Sequence, residues 1–388
     1  MTSNDSDALM LSLGQVDGIV AEKTSATNTD VSIQQPAPED FAGMMAIGKQ
    51  VARILEQGKY HPVMVVGAQR SGKTMLLASL LARAYATKEE TSVDLRLGER
   101  ALFPEHHPLV DVMWTQTKEF YEGTVNNFAN GELAPATRFE HPFYIPIEVI
   151  PQSPRLKPVR FAFLECRGEV YDPQRQKFAS SDRSYFKAKE LPGVIAGVLL
   201  NFTGPLSIIY VAPGWIDTRV DPDREQIADL ALLHNMERIQ GARRACGSGQ
   251  ADRHLYLLSM WDELAGDVST ETFARPDPDQ IETILGERFP KSWKKYTSHR
   301  AVGTGNSHTH MQYSVGPIVK LHEASVTEMG QVPTELWPVL NRYPRTVLNW
   351  LYTNASGEVL FPDVVEPPPP QWTLVDRFMQ FVVDGSLR

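Results

Sequence analysis

At 388 residues, with 42% hydrophobic and 22% charged side chains, the chain has the composition of a folded globular protein and room for two domains or one enlarged α/β domain. A net charge of −9 and the lack of any Lys/Arg-rich run argue against a nucleic-acid backbone as partner. The two cysteines, Cys166 and Cys246, sit in no disulfide or metal-ligand spacing, which suits a reducing cytoplasm.

Residues 1–36 are rich in Ser, Thr, Asp, Asn and Gln and cannot bury enough apolar surface to offset chain entropy, so a disordered tail is expected. No basic stretch followed by an apolar run opens the sequence, so no signal peptide is expected. Within 37–60, Phe41, Met44, Met45, Ile47, Val51, Ile54 and Leu55 recur near helical spacing, which predicts a helix stopping at Gly58. Residues 61–66 form a short apolar run between Pro62 and Gly67, read as a buried strand. A glycine loop follows, then a helix over 75–86 with Leu76, Leu77, Leu80, Leu81 and Ala84 on one face. The stretch from about 87 to 142 reads as an insert that supplies a partner-specific surface.

Two apolar runs, 143–150 and 159–164, flank a Pro-rich turn and predict two strands, with a hairpin as one way to pair them. The most apolar stretch, 191–213, is broken by Pro192, Asn201, Thr203, Gly204 and Pro205. It therefore reads as a core helix followed by a strand at 207–211, and no membrane span is expected. Further on, the pattern predicts a helix over 223–244 and strands at 254–260 and 311–315. Residues 334–352 look helical, with Pro338 and Pro344 expected to break or kink the helix. Residues 358–388 carry a polyproline spacer at 367–370 and then a helical pattern over 373–384 that docks on a partner or packs back on its own domain. Strands alternating with helices predict a three-layer α/β fold. It would have a mainly parallel six-stranded sheet with helices on both faces, spanning 61–357.

The run Gly67-Ala68-Gln69-Arg70-Ser71-Gly72-Lys73-Thr74 matches G-x-x-x-x-G-K-[ST] without a gap. Glycines let the backbone wrap closely around phosphate oxygens while N–H groups from Gly67, Gln69, Arg70, Ser71, Gly72, Lys73, Thr74 and Met75 point inward. The following helix adds the positive end of its dipole. In this motif Lys73 reaches the β- and γ-phosphates and the Thr74 hydroxyl ligates Mg²⁺.

Four further segments follow in order: Pro135-Ala-Thr137-Arg138-Phe139, Phe161-Ala-Phe-Leu-Glu165-Cys-Arg167-Gly168-Glu169, Leu255-Tyr-Leu-Leu-Ser259-Met260-Trp261-Asp262 and Ser314-Val315-Gly316. Together with the phosphate loop, over about 60–355, they resemble a Ras-like GTPase domain of the translation-factor-related class and, through their departures from it, divergent bacterial GTPase-like families in defence or signalling systems. The resemblance implies that Thr137 closes over the γ-phosphate and Mg²⁺ ahead of the second strand. It implies that Glu165 stands in for the Asp of Asp-x-x-Gly beside the metal and that Gly168 N–H meets the γ-phosphate. Glu169 takes the place of a water-orienting glutamine, which makes hydrolysis slow, and Arg167 is the first choice for an in-cis transition-state arginine, with Arg70 and Arg138 behind it. Ser259 and Met260 replace the usual Asn and Lys, Asp262 reads guanine N1 and its 2-amino group, and the loop at Ser314 and Val315 meets guanine O6.

His299, His308 and His310 read as members of one polar loop, with no third zinc ligand nearby. The resulting expectation is a cytoplasmic GTP-binding switch, with GTP or GDP and Mg²⁺ as ligands, slow hydrolysis and a protein effector. The alternatives are a P-loop ATPase using Glu165, or a nucleotide-bound interaction protein without turnover.

Overall fold

Seven of the strands join one sheet, and the apolar character of each run decides where in the sheet it lies. The computed structural model describes residues 41–86, 93–104, 108–132, 143–165, 191–214, 223–261, 278–300, 308–316, 319–320, 330–331 and 340–362. The strands are β1 (Tyr60–Val66), β2 (Val93–Leu97), β3 (Phe143–Pro151), β4 (Val159–Glu165), β5 (Ser207–Pro213), β6 (Arg253–Ser259) and β7 (His308–Gln312). Their spatial order is β2-β3-β4-β1-β5-β6-β7. β1 and β5, buried at every residue, hold central positions, as continuous apolar runs must when both faces are covered. β4, β1, β5, β6 and β7 run parallel, whereas β3 is antiparallel to β4 and β2 antiparallel to β3. A separate two-stranded ribbon pairs β8 (Val319–Lys320) with β9 (Gly330–Gln331).

The helices are α1 (Phe41–Gln57), α2 (Lys73–Ala86), α3 (Pro108–Ala129), α4 (Gly193–Asn201), α5 (Arg224–Ala245), α6 (Pro278–Arg288), α7 (Pro290–Arg300) and α8 (Arg342–Ser356). α2 packs with α3 and α8, while α1, α4, α5, α6 and α7 form a second group, giving the two helical layers. α1 and α4 meet backbone to backbone: a Cβ on Gly48 would stand 2.1 Å from the Val194 carbonyl oxygen, and one on Gly197 would stand 2.4 Å from that of Met45. At the edge of the sheet away from the carboxyl strand ends, Arg243 of α5 is buried in a bidentate pair with Asp252. It also donates to the carbonyls of Leu199, Phe202 and Gly204. All five guanidinium N–H groups are thereby used, which fixes the end of α5 against the start of β6 and the turn before β5.

Four expectations need correction. The sheet has seven strands rather than six, because the 87–142 insert contributes the edge strand β2, along with α3. The last parallel strand is displaced from 311–315 to His308–Gln312, since pairing with β6 runs from His254 opposite His308 to Leu258 opposite Gln312. His308 and His310 are consequently strand residues and His299 lies in α7. His310 is buried edge-on to Trp293 with its Nε2 3.5 Å from Glu282, so the three histidines share no polar loop. Pro344 does not break its helix: it falls in the first turn of α8, where the missing N–H has no intrahelical acceptor to lose.

No helix among the described residues is long and apolar enough to cross a membrane. The tail 1–36, Pro338 and the whole of 367–384 lie outside the described residues.

Candidate functional site

β1 sits between β4 and β5, with β2 to β4 on one side of it and β5 to β7 on the other, so the strand order reverses here. In an open α/β sheet such a switch point, at the carboxyl ends of the strands, is where ligands bind. Five parallel strands deliver their carboxyl ends here: β1 into Gly67, β4 at Glu165, β5 into Gly214, β6 into Met260 and β7 into Tyr313.

The loop 67–74 has the backbone such a cradle needs. Arg70 and Gly72 take φ of +60° and +87°, in the left-handed region. A Cβ on Gly67 would stand 2.5 Å from Ser71 Oγ and 2.7 Å from the Val211 carbonyl oxygen, so any larger residue would force the loop away from β5. Ser71 N–H donates to the Ala68 carbonyl at 3.2 Å, closing the loop, and Leu76 N–H donates to that of Gly72 at 2.8 Å, starting α2. α2 thus begins at the loop, with the positive end of its dipole there. Lys73 is buried, and its Nζ donates to the carbonyls of Gly67 and Ala68, each at 2.9 Å. The ammonium thus lies against the first arm of the loop. Thr74 and Met75 follow, both half-buried.

Glu165 is 1% exposed and lies one residue beyond the Met64–Leu164 pair of β1 and β4. A carboxylate is thus buried on the strand next to the one that enters the loop. Across β5, the end of β6 touches the loop. Ser259 Oγ donates to the Ser71 carbonyl at 2.8 Å, with the Ala212 carbonyl at 3.1 Å as the competing acceptor. Met260, at φ +56°, has its Cε 3.8 Å from where a Cβ on Gly72 would stand. A side chain held at positive φ is a strained feature of the kind that clusters at functional sites. Beyond β6, Trp261 N–H donates to the Tyr313 carbonyl and Tyr313 N–H to that of Leu258, lacing β6 to β7. Ser314 is buried, and its hydroxyl accepts from Gly316 N–H at 2.8 Å in a turn with Gly316 at φ +93°.

Eleven of the sequence-predicted site residues are thus brought to one edge of the sheet around the loop: Gly67, Gln69, Arg70, Ser71, Gly72, Lys73, Thr74, Met75, Glu165, Ser259 and Met260. Ser314 and Val315 lie at the end of the neighbouring strand β7. Thr137, Arg138, Arg167, Gly168, Glu169 and Asp262 lie outside the described residues.

No family model matches this chain, and no curated protein matches it. Among solved structures it is similar to an ADP-ribosylation factor-like GTP-binding protein, the small COPII coat GTPase of Encephalitozoon cuniculi in complex with GDP. That likeness is at 10% identity, with 78% of this chain and 89% of the other covered and a TM-score of 0.24. A superposition this loose adds nothing to the geometry, which by itself is that of a P-loop NTPase-like fold.

Two further residues join the site with no signal in the sequence. Arg224, the first residue of α5, donates from Nη2 to the Gln69 carbonyl at 3.4 Å. Arg288, the last of α6, pairs with Glu225 and donates to the Gly214 carbonyl, pinning α6 and the start of α5 to the end of β5. Arginines at helix ends are common, and only the topology distinguishes these two.

Proposed function

We propose that the chain is a cytoplasmic GTP-binding switch that hydrolyses GTP slowly with Mg²⁺ and acts through a protein effector. One observation carries the reading: Ser259 at the end of β6 is hydrogen-bonded to Ser71 of the phosphate loop, so the strand that leads into Asp262 abuts the cradle. A base read by Asp262 would then lie within one nucleotide's reach of phosphates held at 67–74.

The residues suit that ligand. Loop and first-turn N–H groups supply donors to phosphate oxygens, and Lys73 supplies a buried cation against the β- and γ-phosphates. The Thr74 hydroxyl and Glu165 carboxylate are hard oxygen donors of the kind Mg²⁺ accepts, with Thr137 as the third candidate. The ion would neutralise charge on the transferring phosphoryl group. Phosphoryl transfer needs positioning and charge stabilisation more than covalent chemistry, so Lys73, the loop donors and a carboxylate at Glu165 do most of the work. Glu169 in place of a neutral amide repels phosphate charge, which supports slow turnover. The segments around Thr137 and Gly168 would order against the γ-phosphate, the 87–142 insert with α3 would meet the effector, and the setting would be a bacterial signalling or defence system.

The test is a titration of apo protein with GTP and ATP in Mg²⁺, alongside identification of any nucleotide released on denaturation. GTP is expected to win, and Asp262→Asn should move the preference to xanthosine nucleotides by exchanging an acceptor for a donor. Tighter binding of ATP, or an Asp262→Asn variant that still prefers GTP, would remove the guanine assignment. Lys73→Ala should abolish turnover in a protein that still unfolds cooperatively.

A further inference from the structure

Cations near the loop are the strongest unassigned feature of the molecule. Lys73 Nζ donates to the Ala68 carbonyl at 2.9 Å, and the next carbonyl along the loop, that of Gln69, accepts from Arg224 at 3.4 Å. An ammonium and a guanidinium therefore meet successive carbonyls of the loop arm, Lys73 at Gly67 and Ala68 and Arg224 at Gln69. The motif sends its lysine to the β- and γ-phosphates, so this arm is the one beside the terminal phosphate. Arg224 reaches it because α5 follows β5, whose carboxyl end adjoins the P-loop strand.

Rigidity points the same way. Glu225, the carboxylate next to Arg224, pairs with Arg288 of α6. Arg288 also holds the Gly214 carbonyl, which anchors the first turn of α5 to the end of β5. The bond to Gln69 is long, and a guanidinium carries five donors in a plane that matches a phosphate face.

We propose that Arg224 is a second phosphate-binding cation, supplied by the chain itself, which contacts the terminal phosphate of a bound nucleoside triphosphate from the lip of the loop. The proposal rests on reading 67–74 as a triphosphate site and not on the identity of the base. It predicts discrimination between triphosphate and diphosphate. Binding of fluorescent GDP, GTPγS, ADP and ATPγS in Mg²⁺ would be measured for the full chain and for Arg224→Ala and Arg224→Lys, with thermal unfolding alongside. Arg224→Ala is expected to weaken the preferred triphosphate analogue at least about tenfold, as loss of a charge-assisted bond should, and to leave the matching diphosphate within about twofold. Arg224→Lys should recover part of the loss, and it carries the test if the alanine variant does not fold.

Equal weakening of both nucleotides would assign Arg224 to tethering the loop and overturn the proposal, as would no change in either. A wild-type preference for ATPγS would sink the guanine reading alone, because the adenine pair then reports the same ratio. Wild type that binds none of the four would overturn the phosphate site and Arg224 together.

Discussion

Ser259 stands where the GTPase resemblance leads one to expect an asparagine, and its structural consequence is local and measurable. Ser71 and Ser259 are both buried, so the Ser71 carbonyl has no water to replace the hydroxyl that donates to it. Ser259→Ala removes that donor and leaves a desolvated acceptor at the base of the loop, at a cost of about 1–2 kcal/mol. The expected outcome is a lower urea midpoint with nucleotide dissociation several-fold faster, read by release of a fluorescent nucleotide. An unchanged dissociation rate would mean that the contact between β6 and the loop does not support the ligand. At this scale the phosphate loop was legible because its glycines and lysine are dictated by phosphate geometry within eight consecutive residues. Ser259 was legible only as a position in a series of motifs. Arg224 and Arg288 were not legible at all, since their partners, the carbonyls of Gln69 and Gly214, are remote in sequence and any residue would present them.

Elements with strong periodicity were read within a few residues of their bounds: α1, α2 and α5 among helices, and β1, β3, β4, β5 and β6 among strands. β2 escaped because five alternating residues, Val93-Asp-Leu-Arg-Leu97, do not separate an edge strand from a loop. β7 was misplaced because His308-Thr-His310 looks polar, whereas His310 is covered by Trp293 and α7. Helix glycines show the same limit, because sequence alone does not tell a required glycine from a tolerated one. Gly48 and Gly197 allow α1 and α4 to touch through backbone atoms, whereas a Cβ on Gly123 of α3 or Gly241 of α5 would meet nothing within 4 Å. Gly48→Ala or Gly197→Ala should therefore push the helices apart and destabilise by about 1–3 kcal/mol or more. Gly123→Ala and Gly241→Ala should each stabilise by about 0.5–1 kcal/mol through helix propensity and the lost freedom of the unfolded chain. Urea unfolding of the four variants checks this, and the same sign in both pairs would contradict the packing of α1 on α4.

Across the whole molecule, the sheet that gathers the site also carries an ionisable group that couples its stability to pH. His61 on β1 is buried, its Nε2 2.9 Å from Ser207 Oγ on β5 and its ring edge-on to Phe161 of β4, so it bridges the three central strands. Burial, with a smaller contribution from Arg253, lowers its pKa from 6.5 to about 4. The unfolded chain thus takes up a proton near pH 6.5 that the folded protein refuses until about pH 4. The associated stability is present above pH 6.5 and is lost as pH falls through that window. Asp252 shifts the other way: burial raises its pKa and Arg243 only partly offsets this, so acid relieves its penalty and does not add to the loss. His61→Gln keeps a polar partner for Ser207 without titrating, and a comparison of the two proteins cancels every other group. Between pH 7 and pH 5 the wild type should lose about 2 kcal/mol more unfolding free energy than the variant, measured by urea denaturation at each pH. A constant gap would mean that His61 takes up its proton at the same pH in the folded sheet as in the unfolded chain. A gap that closes in that window would locate the acid sensitivity in the strands that hold the phosphate loop, and binding measured below pH 5 would then report loss of the sheet rather than titration of the site.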